Sequence, residues 1–148
     1  MILEAEKKAL KYLQNAEFSN NPVIKVWREA FQKFKTKKGA RSSIEALLKR
    51  VHNGNHIETI NPLVDIYNSI SLRYALPCGG EDIDKFASDI RLTTAVGNDE
   101  FIPLGTDESR LIEFENALKE LAKVVQDNLG GTCTASILDI YNKEVTIE

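Results

Sequence analysis

Residues 61–105 read NPLVDIYNSISLRYALPCGGEDIDKFASDIRLTTAVGNDEFIPLG, and the order of signals in this stretch decides how the rest of the chain must pack. Asn61 is placed to cap a helix whose first turn holds Pro62, where a missing N–H is harmless because it would be unpaired anyway. Leu63, Ile66, Tyr67, Ile70 and Tyr74 line one side of that helix, with Val64 and Leu72 on another, so more than one flank is covered. Asp65, Asn68 and Ser71 fall at i, i+3 and i+6 as a polar stripe on an otherwise apolar helix. Buried polar groups need partners, so the stripe either ties the following turn in place or lines a pocket. Pro77 ends the helix, and Gly79 and Gly80 allow positive φ and close backbone approach. Glu81, Asp82 and Asp84 lack the full ligand set of a calcium loop and read as carboxylates at a helix start. From Ile90 the period changes to two, turns at Gly97-Asn98 and closes at Pro103, the pattern of a β-hairpin.

On the N-terminal side, residues 3–16 place Leu3, Leu10 and Leu13, with Ala5, Ala9 and Tyr12, at helical spacing. Asn21-Pro22 opens a second helix whose stripe is Val23, Val26, Trp27, Ala30, Phe31 and Phe34, core-forming rather than base-stacking at this spacing. It runs into Lys33, Lys35, Lys37 and Lys38, a basic run that suits either the negative end of a helix dipole or phosphate binding. Ser42 and Glu45 have the spacing of a capping box for a third helix buried through Ile44, Leu47, Leu48 and Val51 and stopped at Gly54. On the C-terminal side, Leu111, Phe114, Leu118, Leu121 and Val125 mark a long helix ended by Gly130-Gly131. Thr132–Leu138 and Val145–Ile147 then read as strands. The prediction is an α+β fold, helices packed on a mixed or antiparallel β-layer, in a single domain over residues 1–148.

Composition narrows the function classes. With 43% apolar and 28% charged residues the chain has an ordinary globular balance, which argues against long disorder. No apolar run approaches the ~18 residues of a membrane span, and no leader-like segment opens the chain, so a cytoplasmic protein without membrane contact is expected. Cys78 and Cys133 form no CxxC pair and lie far in sequence from His52 and His56, so neither metal nor cofactor is expected. Residues 1–50 hold twelve Lys/Arg against five Asp/Glu, a net +7, while residues 51–148 carry a net −10. That asymmetry fits either a footprint for an anionic partner or two solvated faces.

Four segments then carry a resemblance: SSIEALLKR at 42–50, INPLVDIYNSISL at 60–72, LPCGGEDIDKF at 76–86, and DIRL followed by EFIPLG within 89–105. Together they resemble the B3/B4 domain, the editing and tRNA-contacting module of the phenylalanyl-tRNA synthetase β subunit, and look closest to the freestanding proteins built around it. On this likeness residues 1–41 are a helical lead-in, 42–108 the family-like core, and 109–148 a C-terminal helix and strand. In the synthetase the domain hydrolyses tyrosine wrongly attached to the phenylalanine tRNA. The resemblance therefore implies a trans-acting deacylase, or else a non-catalytic module binding tRNA, RNA or an amino-acid-like ligand, with tRNA or aminoacyl-tRNA as partner and no role for DNA. Asn68, Ser71, Gly79, Gly80 and Asp82 would form the wall and scaffold of the pocket; Lys33, Lys35, Lys37, Lys38 and Arg41 would face phosphates. No general base is assigned. A purely structural docking role is the third reading.

The departures matter too. A pocket histidine of the bacterial synthetase is Gly79 here, and a basic pocket residue is Glu58. Family members continue after the PLG segment with further strands, whereas this chain passes from Glu108 almost directly into helix at Ser109; an omitted segment is the favoured explanation, with a true deletion and a divergent member that has lost the site as the alternatives.

Overall fold

The computed structural model describes residues 1–33, 41–90, 108–138 and 141–146, with residues 108–115 described by their backbone. Five helices organise them: α1 Ile2–Ala9, α2 Pro22–Gln32, α3 Ser43–His52, α4 Pro62–Tyr74 and α5 Glu108–Leu129. The centre is α4, which packs against α1, α3 and α5. Ile66 and Ile70 on one side and Leu72 on another are all buried, as expected for a helix covered on more than one flank.

Asn61 caps α4 as its position predicts: the side-chain oxygen accepts the Val64 N–H at 2.9 Å. The other end of α4 is finished by its neighbours. Carbonyls in the last turn of a helix have no partner within it, and here Tyr12 donates its hydroxyl to the Arg73 carbonyl at 2.8 Å. Trp27 donates its indole N–H to the Ala75 carbonyl at 3.0 Å. Tyr12 and Trp27 thus cap the end of α4, and Trp27 also belongs to the core at 6% exposed.

Left-handed backbone, which glycine favours, falls on Ala75 (φ 53°), Gly54, Gly130 and Gly131 among the described residues. The prediction that Gly79 and Gly80 supply it is therefore corrected. Ala75 reverses the chain one residue past α4, where its own N–H and that of Leu76 return to the Ser71 carbonyl.

Three further corrections concern packing. The first helix ends at Ala9 and continues only as a 3₁₀ turn over Leu10–Tyr12. Its buried face is Ile2, Ala5, Glu6 and Ala9, while Leu3 and Leu10 are exposed. Two alanines let α1 approach α4 more closely than leucines could. The capping box at α3 is not formed, because the Glu45 carboxylate is drawn away by Arg28 at 2.8 Å and Arg41 at 3.1 Å. The Ser42 hydroxyl is buried without a partner among the described residues.

The α+β expectation is overturned for the described residues, which contain helices and no strand. Thr132–Leu138 and residues 145–146 carry the alternating pattern but pair with nothing as a ladder, and most of their side chains are exposed. Alternation only orients side chains; a strand forms when a neighbour satisfies its N–H and C=O groups. The predicted hairpin lies outside the described residues except for Ile90. At the junction where a missing segment was expected, α5 runs without interruption from Glu108 through Ser109. Among the described residues no helix is long and apolar enough to cross a membrane.

Candidate functional site

Helical spacing builds a cleft of about 380 Å³ between α3 and α4. Ser43, Ala46, Leu47 and Arg50 sit at i, i+3, i+4 and i+7 of α3, a stripe beside the one that buries Ile44, Leu48 and Val51. From α4 come Val64, Tyr67 and Asn68, again at i, i+3 and i+4. Ile60, before α4, and Cys78, after it, complete the lining.

The polar stripe of α4 supplies the scaffold, and its three members divide the work. Asp65 accepts the Ile60 N–H at 3.0 Å and so holds the segment before the helix. Ser71, 1% exposed, accepts the Cys78 N–H through its hydroxyl at 3.1 Å and holds the segment after it. Asn68 faces the cleft, half-buried, between these two anchors. Both readings of the stripe are realised, at different residues. Burial pushes the Cys78 thiol up, with the Ser71 contact working in the other direction; the thiol stays neutral at ordinary pH.

Of the other predicted pocket residues, Gly79, Gly80 and Asp82 are exposed and do not line this cleft. A Cβ on Gly80 would stand 3.7 Å from Leu63 Cδ2 and 3.8 Å from Tyr67 Cε1, so Gly80 lies beside a tyrosine that lines the cleft. Gly79 has open space around it. Asp82 accepts the Asp84 N–H at 3.1 Å and caps a 3₁₀ turn over Ile83–Lys85, the helix-start role its type suggests. Glu58 is exposed.

Of the predicted phosphate-facing set, Lys33 is exposed at the end of α2, and Arg41 is paired with Glu45. Lys35, Lys37 and Lys38 lie outside the described residues.

Sequence reasoning missed Ser43, Tyr67, Arg50 and Cys78 as cleft residues. The signal was the second stripe of α3, which is visible only once the buried stripe has been subtracted. A second cleft, about 460 Å³, lies between Lys11-Tyr12 and the start of α2. Its buried amide, Asn21, is already committed to Asn15 and Phe18, so it presents little unspent polarity. Among the described residues no group of His, Cys, Asp and Glu could hold a metal ion.

With this geometry in place, the comparisons define the class. The sequence profile of the B3/4 domain matches residues 26–148, and the chain belongs to that family. The matched region begins inside α2 and takes in both helices of the cleft. It is also similar to the phenylalanine–tRNA ligase beta subunit of Mycoplasmoides gallisepticum, 31% identical over 87 residues that cover 50% of this chain and 11% of that protein. The chain thus spans a small part of its curated relative. No solved structure matches it significantly.

Proposed function

We propose that this B3/4 chain acts on tRNA as a single cytoplasmic domain, receiving an aminoacylated end in the α3–α4 cleft. Membership of the family and the similarity to a tRNA ligase subunit support the class of partner. The observation that carries the site is the placement of Asn68 in a partly apolar cleft within the matched residues, between the anchors Asp65 and Ser71. A site of this kind, apolar walls with few convergent polar groups, is what small-ligand recognition uses.

Binding is favoured over hydrolysis by a second observation. General acid–base chemistry needs a group within hydrogen-bond reach whose pKa lies near the working pH. Among the described residues lining the cleft there is no carboxylate or imidazole, and the one thiol is held neutral. The test is a panel of tRNAs, uncharged and charged with different amino acids, measured for affinity and for release of the amino acid. The expected result is tighter binding of a charged tRNA, weakened by Asn68→Ala, with release at the rate in buffer. Equal affinity for charged and uncharged tRNA removes the cleft from the proposal. Turnover above buffer replaces binding with editing hydrolysis.

A further inference from the structure

The cleft carries one formal charge among its described lining residues, the Arg50 guanidinium. No described carboxylate pairs with Arg50, in contrast to Arg28, Arg41 and Arg73, each of which meets a glutamate. Asp65, the acidic residue of the facing helix, is turned to the Ile60 N–H. Cys78 adds no negative charge, since burial keeps its thiol protonated. Arg50 is exposed and lines the cleft together with Tyr67, Asn68, Ser43, Leu47 and Val64, which supply an aromatic ring, an amide, a hydroxyl and two aliphatic side chains.

We infer that the cleft selects amphipathic anions, an apolar or aromatic body joined to a carboxylate or phosphate, and does not read an ammonium group. Guanidinium binds both oxyanions through paired N–H donors, and an ammonium placed beside it meets like charge with no acceptor of opposite sign. The inference rests on the cleft reading proposed above and deepens it: the handle that the chain grips is an anion, and the amino group of an aminoacyl ester is left ungripped.

The experiment titrates 3-phenylpropionate, phenyl phosphate and 2-phenylethylamine into the full chain, following the Asn68 side-chain amide and the Tyr67 ring by NMR. Both anions are expected to bind about three- to fivefold tighter than the amine, the range an exposed ion pair supplies. Arg50→Gln should abolish that preference, and Arg50→Lys should keep most of it. A carboxylate that outbinds the phosphate points to an acid derived from an amino acid; the reverse order points to a nucleotide phosphate; either order supports the inference. Amine binding equal to anion binding, or a preference that survives Arg50→Gln, overturns it and leaves the cleft as a site of other selectivity. Absence of binding by all three probes also overturns it, while the affinity for charged tRNA decides the functional proposal separately.

Discussion

The starts of α3 and α4 carry equally good capping sequences and end in opposite states. At α4, Asn61 accepts the Val64 N–H, and the nearby acidic residue, Asp65, bonds the Ile60 N–H, so the local signals are satisfied locally. At α3, the Ser42 side chain caps nothing, and Glu45 is claimed by Arg28 from α2, which approaches with two guanidinium nitrogens. A nearly buried carboxylate, with its side chain 6% exposed, gains more from a charge-assisted fork than from one backbone N–H. In turn, Glu45 holds Arg28 firmly in its charged form. The difference teaches that a capping motif is a local offer, and a tertiary partner of opposite charge can outbid it.

The largest expected effect is at the tertiary node. Glu45→Gln leaves Arg28 and Arg41 facing each other without their anion, at a cost of about 2–3 kcal/mol, because charge-assisted hydrogen bonds are lost while partial exposure of both arginines screens the remainder. Urea unfolding should show a lower midpoint at unchanged slope. A loss near that of an ordinary surface substitution would return α3 to local control.

Ser71→Ala should come next, at about 1–2 kcal/mol, since it strands the Cys78 N–H and loosens the cleft wall at Cys78. The same variant should speed hydrogen exchange at the Cys78 N–H, measured by NMR; an unchanged rate would mean the wall stands without its serine. At the locally satisfied cap, Asn61→Ala is expected to cost about 1 kcal/mol. Its counterpart, Ser42→Ala, should change stability by less than about 0.5 kcal/mol or raise it slightly, since the hydroxyl it removes is buried and unpartnered. Thermal unfolding of the two variants side by side sharpens the contrast: equal losses would show that Ser42 caps α3 in solution.

The sequence made much of the helical frame legible. Asn61-Pro62 marked the start of α4, Gly54 the stop after α3 and Gly130 the end of α5, because caps, proline and left-handed glycine act within a few residues. It also singled out the Asp65, Asn68 and Ser71 stripe, and with it the residue that faces the cleft. The rest depended on partners. Gly79 and Gly80 were the residues able to adopt positive φ, yet the left-handed turn falls on Ala75, whose carbonyl is held by a tryptophan 48 residues away. The alternation of Thr132–Leu138 looked like a strand, but orientation of side chains says nothing of whether another backbone lies alongside.

What the sequence determined alone, then, was where helices begin and stop and which α4 positions are polar, since those are matters of φ, hydrogen-bond capacity and spacing within one or two turns. Tertiary structure alone decided that Glu45 serves arginines instead of its own helix, that Leu3 and Leu10 stay exposed while Ala5 and Ala9 are buried, and that Arg50 and Asn68 line one cleft. Each of those outcomes is a competition between groups distant in the chain, and burial, by stripping away water, gives the win to the partner with the stronger charge or the closer fit.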